Sequence, residues 1–260
     1  MDEAAVSACL DKMISTAIES GRLILKSYQK NPETVRDKGD HGSESSPLTV
    51  ADLESNKNIV SQLSEMYPRI PIISEEIELP DYSVRKNWPL FWLIDPLDGT
   101  KEFLSGNDEF TVNIALIEDG RPVLGVVYIP PKELLYYAAE GRGSWKREPG
   151  KEPVRIYSKI PDLSQGLTIV ESKSHPSAAL ENYLKDLPVK NRIAAGSSLK
   201  FCTVAEGLAD IYPRLNPTME WDVAAGDCIY RNSALWGQRR SSLTYNKPTL
   251  KNDSFVIGLM

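Results

Sequence analysis

Apolar residues recur every three or four positions from Val6 to Leu25, which is the spacing of an amphipathic helix. The pattern predicts a first helix of several turns with a buried stripe that consists of Val6, Leu10, Met13, Ile14, Ala17, Ile18, Ile24 and Leu25. Residues 37–47 are polar and rich in turn formers, and they carry no apolar period that would dock them on a core. We therefore expect a mobile loop after the first helix.

A second helical pattern begins at Thr49 and ends near Pro68. Its polar positions Asp52, Asn56 and Asn58 are predicted to face solvent. Its apolar positions are available for burial, namely Val50, Leu53, Ile59, Val60, Leu63 and Met66. The chain is therefore expected to start with two amphipathic helices.

Short apolar runs bounded by turn formers predict buried strands in the next part of the chain. The runs at residues 70–73 and 91–94 each stop at acidic residues, so their carboxyl ends are expected to present carboxylates. Residues 110–118 and 122–128 also have strand patterns, and Asp119-Gly120 between them is a strong hairpin signal. A set of antiparallel strands is therefore expected here.

The character of the chain changes at residues 141–153, a stretch rich in Gly, Lys and Pro that follows a predicted strand at residues 135–139. Beyond it the pattern predicts a strand and two helices, at residues 167–170, after Pro176 and at residues 199–209. We therefore divide the chain into an N-terminal α+β sub-domain, residues 1–150, and a C-terminal α/β sub-domain, residues 151–260. The order of the elements predicts a layered α/β fold.

Composition narrows the classes of function. The 260 residues, 41% hydrophobic and 25% charged, are enough to bury a large core. The net charge of -6 argues against a surface for a nucleic acid polymer. The three cysteines show no C-x-x-C spacing, and the two histidines exclude a poly-His metal cluster. Carboxylates must therefore carry most of the ionic chemistry.

The same composition bears on location. The chain contains no uncharged apolar stretch of the length that spans a membrane, and residues 1–4 lack the basic start of a signal peptide. We therefore expect a protein that stays inside the cell and has no integral membrane segment.

Residues 95–100, Asp-Pro-Leu-Asp-Gly-Thr, are the most informative for chemistry. Asp95 and Asp98, three residues apart on a tight turn, can converge on one point, and the Leu97 carbonyl can point to the same side. Such a set offers only oxygen ligands, which hard divalent cations such as Mg²⁺ prefer. The segment also fits an ordinary Asp-Gly turn after a capped strand.

Further acidic positions favour the metal hypothesis in combination. Glu75 and Glu76 are adjacent at the end of a predicted strand, Asp222 opens a helix of small residues, and Asp52 lies on the second helix. Taken alone, each also fits a structural role: a solvated strand end, a helix N-cap, or a solvent-facing helix position. Only the combination discriminates between the two interpretations.

The segment at residues 92–103 (WLIDPLDGTKEF), with Glu75-Glu76 upstream and residues 221–226 (WDVAAG) downstream, resembles the inositol monophosphatase superfamily of Mg²⁺-dependent, lithium-sensitive phosphomonoesterases. The chain is more similar still to the CysQ-type 3'(2'),5'-bisphosphate nucleotidases, through residues 46–52, 109–116, 196–202 and 212–214. The resemblance covers nearly the whole chain. It implies a layered α-β-α-β-α sandwich of the inositol monophosphatase/sugar phosphatase type.

The resemblance also implies a set of metal ligands for two Mg²⁺ ions, with a third ion that binds weakly. Glu75, Asp95 and the Leu97 carbonyl match the ligands of the first ion. Asp95, Asp98 and Asp222 match the ligands of the second ion, so Asp95 is implied to bridge both.

Catalytic roles follow from the same resemblance. Asp52 and Thr100 match the pair that orients and activates the attacking water, and they are implied to be catalytic together with Glu75. The backbone at Gly99 and Thr100 matches a phosphate cradle. Lys38 matches a loop lysine near the weaker metal position.

On the nucleotide side, the resemblance points to Ser172, His175, Gly196 and Lys200, and Lys200 is placed to offset a remote phosphate. Taken alone, Lys200 also fits a solvated helix position, and His175 fits a loop before Pro176. The implied substrate-binding positions are Leu97, Asp98, Gly99, Thr100, Ser172, His175, Gly196, Lys200 and Asp222.

The activity that the resemblance implies is removal of the 3'-phosphate of adenosine 3',5'-bisphosphate to give AMP, with the sulfated form as a second substrate. Such a nucleotide carries about four negative charges, so two divalent ions are needed to make an acidic pocket attractive to it. The alternatives are an inositol or sugar-phosphate phosphatase and a non-catalytic nucleotide sensor. The resemblance implies a cytoplasmic protein, with peripheral attachment at the inner membrane and a homodimer left open.

Overall fold

This computed structural model describes residues 2–28, 34–40, 45–173, 178–235, 237 and 239–258. Within these ranges the chain forms seven α-helices: α1 (Glu3–Tyr28), α2 (Val50–Met66), α3 (Tyr82–Arg85), α4 (Thr100–Leu104), α5 (Ala178–Leu184), α6 (Leu199–Ala205) and α7 (Glu220–Arg231). None of the described helices combines the length and the apolar composition needed to cross a bilayer.

The strands of the described residues are β1 (Thr34–Asp40), β2 (Ser45–Thr49), β3 (Ile72–Ser74), β4 (Leu90–Asp98), β5 (Thr111–Glu118), β6 (Arg121–Ile129), β7 (Leu134–Ala139), β8 (Gly143–Arg147), β9 (Val154–Ile156), β10 (Leu167–Ser172), β11 (Val189–Ala195), β12 (Tyr212–Arg214), β13 (Thr218–Met219), β14 (Lys251–Asn252) and β15 (Phe255–Ile257). A short 3₁₀ helix covers Pro130–Lys132.

Strands β3 to β9 form one seven-stranded sheet in chain order, in which β3 runs parallel to β4 and each later pair is antiparallel. The strands predicted in this part of the chain are confirmed. The predicted hairpin between β5 and β6 is confirmed too, because Asp119 (φ 47°) and Gly120 (φ 73°) both take the left-handed conformation that a tight hairpin needs.

The elements stack in alternating layers. Helices α1 and α2 cover one face of the seven-stranded sheet, and α6 and α7 cover the other. Strand β10 pairs with β11 in a smaller sheet behind α6, and Leu180 and Leu184 of α5 pack on the far side of that sheet against Leu167 and Ile169. The layered α-β-α-β-α sandwich expected from the sequence is therefore the observed fold.

The predicted stripe of helix α1 packs against the sheet and α2, but it is only partly buried. Met13, Ala17 and Ile24 are completely buried, together with Cys9, which was not predicted, and the other residues of the stripe are half-buried. At about 25 cal/mol per Å² of apolar surface, this long stripe is a large source of stability for the N-terminal layer.

Helix α2 begins and ends where predicted but turns a different face to the core. Ile59 and Leu63 are buried as expected, whereas Val50 and Leu53 are 45% and 40% exposed. Asp52, which was predicted to face solvent, has no exposed surface. The prediction was wrong because helical periodicity alone does not reveal that the buried face begins with a polar residue that has partners in the core.

Residues 37–47, expected to form a loop, belong largely to a two-stranded antiparallel ribbon. In it Asp37 of β1 is opposite Pro47 of β2, and Asp40 is opposite Ser45. The expectation of a loop was wrong because main-chain pairing satisfies backbone donors and acceptors without any apolar period. Residues 41–44, including His41, lie outside the described residues.

The stretch at residues 141–153 contains β8, and β8 pairs with β9 at residues 154–156. The predicted division at residue 150 thus falls between two neighbouring strands of one sheet, and the two sub-domains stay a prediction. Further along, the helix predicted at residues 199–209 ends at Ala205, shortly before Gly207 takes a left-handed φ of 74°.

Candidate active site

A cavity of about 250 Å³ opens where β3 and β4 end and α7 begins. Most of the predicted site residues line it, namely Glu75, Asp95, Leu97, Asp98, Gly99, Thr100, Ser172, Lys200 and Asp222. They come from segments that are far apart in the sequence, so the fold brings them to one place.

The end of β4 forms the acidic floor of this cavity. The register of β4 against β5 shifts between Asp95 and Asp98, so the strand bulges where a tight turn was predicted. Pro96 in the bulge has no N–H for the ladder, and its carbonyl accepts a 2.7 Å hydrogen bond from the Ser55 hydroxyl of α2. The Leu97 N–H donates to Asp95 Oδ1 at 3.1 Å, which orients that carboxylate.

Gly99 turns the chain from the bulge into α4. Its backbone has a φ of 91°, and a Cβ there would lie 3.3 Å from the Glu109 carbonyl, so a residue with a side chain would be both strained and crowded. Thr100 follows as the first residue of α4. Its Oγ1 lies 3.3 Å from the Leu97 carbonyl and 3.4 Å from Asp52 Oδ1, within hydrogen-bond reach of both.

Asp52 lies behind Thr100 rather than in the lining of the cavity. As the third residue of α2 it accepts hydrogen bonds at Oδ2 from the Thr49 N–H at 2.8 Å and from the Thr49 hydroxyl at 2.5 Å, which completes a capping box. Its other oxygen, Oδ1, faces Thr100. One carboxylate therefore both caps α2 and reaches the hydroxyl at the cavity wall.

Glu75 is placed by the pairing of β3 with β4. Its N–H donates to the Ile94 carbonyl at 3.2 Å, which continues the pairing one residue beyond β3. Because parallel strands end at the same edge of a sheet, Glu75 is brought to the same edge as Asp95. Both residues line the cavity.

Asp222 reaches the cavity from the opposite side, at the third position of α7. Its Oδ2 accepts a 2.8 Å hydrogen bond from the Met219 N–H. Helix α7 can lie this close to the sheet because β6 has a glycine at the contact: a Cβ on Gly125 would be 2.6 Å from the Cβ of Cys228 and 2.7 Å from the Ala225 carbonyl. The position of the carboxylate therefore depends on a small residue in the sheet.

The pKa values of Asp98 and Asp222 are both raised, because both carboxylates are buried and lie near other negative charges. Burial first, and then the nearby charges of Asp98 and Glu75, raise the pKa of Asp222 well above its usual value. Burial also raises the pKa of Asp98, although the Ser197 hydroxyl and the charge of Lys200 act against that rise. A cation between these carboxylates would relieve this repulsion.

A cationic wall lies beyond Asp98. Lys200 is only 5% exposed, so it is not a solvated helix lysine, and its Nζ donates to the carbonyls of Ser197 at 2.7 Å and Ala195 at 3.4 Å. Burial lowers the pKa of Lys200 to about 8, with Asp98 acting in the other direction. Arg214 lines the same cavity. The cavity thus has both acidic and basic side chains in its lining, and Lys200 lies close enough to Asp98 for their charges to interact.

Two predicted nucleotide contacts are not in the described lining. Gly196 lies beside the cavity, where its N–H donates to Glu109 Oε2 at 2.9 Å and a Cβ would lie 2.9 Å from the Glu109 carbonyl. His175 lies outside the described residues. So does the side chain of Lys38, whose backbone belongs to β1.

The sequence interpretation overlooked several polar residues at this site. Arg214 sits in the motif at residues 212–214, but nothing in that motif alone told which way its side chain points. Asn113 follows the apolar pattern of β5 and is buried there, and Ser197 and Ser198 precede α6. Their hydrogen bonds to the site depend on strand pairing and loop conformation, which local sequence does not reveal.

The donor set fits a hard divalent cation. The candidate ligands are all oxygens: the carboxylates of Glu75, Asp95, Asp98 and Asp222 and the carbonyl of Leu97. Among the described residues, no group of three or more Asp, Glu, His or Cys side chains is gathered closely enough to hold a metal ion by itself. The carboxylates are instead spread over the walls of an open cavity, as suits Mg²⁺, which commonly completes its coordination with water and substrate oxygens.

Comparison with known proteins agrees with this geometry. Residues 7–233 match the model of the inositol monophosphatase family. The chain is 46% identical over 222 residues to the 3'(2'),5'-bisphosphate nucleotidase CysQ of Salmonella typhimurium, which covers 85% of this chain and 86% of the relative. It is 33% identical over 252 residues to the protein of the same name from Haemophilus influenzae, with 95% and 91% covered.

Among solved structures, a CysQ from Bacteroides thetaiotaomicron, a bacterial member of the inositol monophosphatase family, matches with a TM-score of 0.79 and 38% identity, covering 97% of both chains. The match extends over both halves of the sandwich, including the strands and helices that carry the cavity. The chain therefore belongs to the inositol monophosphatase family.

Proposed function

We propose that the protein is a Mg²⁺-dependent phosphatase that removes the 3'-phosphate from adenosine 3',5'-bisphosphate to give AMP, and that also accepts the sulfated form of this nucleotide. The observation that carries the proposal is that carboxylates and the basic side chains of Lys200 and Arg214 line one cavity. The CysQ relatives are named 3'(2'),5'-bisphosphate nucleotidases, and their identity to this chain supports the same substrate class.

The carboxylates of the cavity would hold two cations. Glu75, Asp95 and the Leu97 carbonyl would hold the first ion, and Asp95, Asp98 and Asp222 would hold the second. Divalent cations supply two things when bound: they lower the pKa of a water ligand and they neutralise charge on the phosphate and the leaving oxygen. A third ion would bind more weakly near Lys38, whose side chain lies outside the described residues.

Asp52 and Thr100 would accept the proton of the attacking water through their hydrogen bond. Thr100 Oγ1 lines the cavity and lies 3.4 Å from Asp52 Oδ1, so the hydroxyl can donate to Asp52 and accept a hydrogen bond from a water in the cavity. Thr49 holds the other oxygen of Asp52, which fixes the direction of this relay. Glu75 would orient the water from the opposite side.

The phosphate that is cleaved would lie against the backbone of Gly99 and Thr100, where α4 starts. The remote 5'-phosphate would lie against Lys200 and Arg214. A charge-assisted hydrogen bond to each would give the pocket its preference for a bisphosphate. Ser172, Gly196 and His175 remain proposed contacts of the nucleoside.

The other expectations from the sequence stand as parts of this proposal. The ligand would be a small nucleotide rather than a nucleic acid polymer. The chain would be organised as residues 1–150, with most of the metal ligands, and residues 151–260, with Asp222 and the nucleotide contacts. The enzyme would work in the cytoplasm.

The test is phosphate release from adenosine 3',5'-bisphosphate and from inositol 1-phosphate, measured in parallel with Mg²⁺ and with chelator. We expect faster turnover of the nucleotide and no turnover in chelator. Asp98→Asn should lower kcat/KM by more than about 100-fold, beyond the cost of losing an outer-shell partner. Asp108→Asn is the matched control, because Asp108 is exposed, accepts a 3.2 Å hydrogen bond from the Tyr28 hydroxyl and is not part of the cavity lining.

A clear preference for inositol 1-phosphate would overturn the substrate assignment in favour of an inositol or sugar-phosphate phosphatase. Nucleotide binding without any metal-dependent turnover would instead favour a sensor.

A further inference from the structure

A line of hydrogen bonds joins the two acidic walls of the cavity from behind. Asn113 of β5 is 1% exposed and pairs with Asp95 of β4 in the sheet register. Its Nδ2 donates to Ser198 Oγ at 2.9 Å and reaches Asp98 Oδ2 at 3.4 Å. Ser198 in turn donates to the Asp222 carbonyl at 2.8 Å. The Asn113 amide therefore contacts the Asp98 carboxylate directly. Through the Ser198 hydroxyl it is also linked to the first turn of α7, which carries Asp222.

The orientation of this amide is itself fixed. The Thr111 hydroxyl donates to Asn113 Oδ1 at 2.9 Å, which leaves Nδ2 facing Asp98 and Ser198. Thr111 Oγ1 also lies 2.9 Å from Ser197 Oγ, and Ser197 donates to the Asp98 carbonyl at 2.9 Å. Ser197 takes a left-handed φ of 51°, a conformation that persists in a residue with a Cβ only where its surroundings hold it.

The chemistry of the side chain suits this place. A neutral amide donates to the Asp98 carboxylate without adding a charge to the cavity, whereas a lysine would compete with a bound cation and an aspartate would add to the repulsion. The contact at 3.4 Å is long, as hydrogen bonds at catalytic sites often are before ligands bind.

We propose that Asn113 is a positioning residue for the cation site: it orients the Asp98 carboxylate and, through Ser198, holds the first turn of α7 with Asp222 in register with it. The inference rests on the proposed function only in taking the cavity carboxylates as metal ligands. Partners of this kind typically change metal affinity by about 10- to 100-fold.

The test compares two Asn→Ala variants by calorimetric titration of the full-length protein with Mn²⁺ in the absence of substrate. Asn113→Ala should raise the dissociation constant for Mn²⁺ by about 10-fold or more. Asn232→Ala is the matched control, because Asn232 is 4% exposed and donates to the Cys228 carbonyl at 2.9 Å beyond the far end of α7. It should lower the unfolding midpoint but leave Mn²⁺ affinity within about twofold of wild type.

A second variant guards against an Asn113→Ala protein that does not fold. Thr111→Val keeps the volume but removes the hydroxyl that orients the amide, so it should weaken Mn²⁺ binding in the same direction by a smaller factor. Wild-type Mn²⁺ affinity in Thr111→Val or in folded Asn113→Ala would overturn the inference. A wild-type protein that binds Mn²⁺ but does not turn over the nucleotide would refute the proposed function while leaving the role of Asn113 standing.

Discussion

Glu220 and Asp227 of helix α7 are paired with cations, whereas Asp222 of the same helix faces other carboxylates at the cavity. Glu220 and Asp227 are both fully buried. Lys247 Nζ lies 2.8 Å from Glu220 Oε1, and Arg231 Nε lies 2.9 Å from Asp227 Oδ2. Each of these charges is balanced by the chain itself.

Asp222 lies between them in the sequence, and its strongest charged neighbours are Asp98 and Glu75, which raise its pKa further than burial alone. At Asp227, by contrast, burial raises the pKa while the charge of Arg231 lowers it. A fold normally pairs a buried charge, so this contrast favours the proposal that the cavity side of α7 holds a bound cation.

The largest expected effect is a difference in stability between variants of Asp227 and of Asp222. Asp227→Asn should lower the free energy of unfolding by about 3 kcal/mol, because it leaves the charge of Arg231 largely buried without its partner. Asp222→Asn should leave it unchanged or raise it in chelator, because the amide removes a charge that repels Asp98 and Glu75. Denaturant unfolding at neutral pH with EDTA measures the stability of both variants. In a separate assay of phosphate release from folded protein, only Asp222→Asn should lose activity.

Equal loss of stability in the two variants would contradict the comparison. It would mean that Asp222 serves α7 mainly as a helix cap, through its bond to the Met219 N–H.

The pH dependence of the free energy of unfolding tests the setting of Asp222 in a second way. Because the pKa of Asp222 is raised in the folded chain without divalent cations, that chain binds a proton that the unfolded chain has released. The free energy of unfolding contributed by this group therefore falls as pH rises above the unfolded value of about 3.9. In EDTA, wild type should lose stability relative to Asp222→Asn as pH is raised from about 4. A difference between the two midpoints that stays constant with pH would be inconsistent with this account.

A smaller effect is expected at Lys200. Lys200→Met keeps the length of the side chain but removes its charge, and it should raise KM for adenosine 3',5'-bisphosphate by about 10- to 100-fold, as expected for a charged hydrogen bond worth about 1.5 to 3 kcal/mol. With 3'-AMP, which lacks the 5'-phosphate, the variant and wild type should have similar KM values. An equal rise in KM for both substrates would show that Lys200 does not read the second phosphate.

The smallest effect tests Asp52. Thr49→Ala removes the capping hydroxyl and should cost about 1 kcal/mol of stability, and it should also lower kcat severalfold because Asp52 loses one of its anchors. Asp81→Ala removes the cap of α3, which accepts a 2.7 Å bond from the Ser83 N–H, and should cost similar stability with no change in kcat. Unchanged kcat in both variants would remove the relay through Asp52 from the mechanism.

Part of this site was predictable because its signals are local. Asp95, Leu97 and Asp98 lie within four residues of one another after a clear apolar run, and Glu75 follows another such run. The fold class followed in the same way from the order of periodic segments and from the resemblance carried by these motifs.

What could not be predicted depends on contacts between distant residues. The burial of Asp52 follows from its partners Thr49 and Thr100, the second of which is 48 residues away. Asn246, near the C-terminus, contacts two distant helices. Its N–H donates to Glu220 Oε2 of α7 at 2.7 Å, and its side-chain oxygen accepts a hydrogen bond from Arg85 of α3, 161 residues away. Such pairs have no periodicity of their own and are decided only when the layers pack.

The most direct test of the proposed cation site is anomalous diffraction from crystals grown with Mn²⁺ and AMP. We expect strong anomalous peaks in the cavity between Glu75, Asp95, Asp98 and Asp222, with the 5'-phosphate of AMP beside Lys200 and Arg214. Mn²⁺ bound only elsewhere, with these four carboxylates directed away from a common ion, would contradict this expectation.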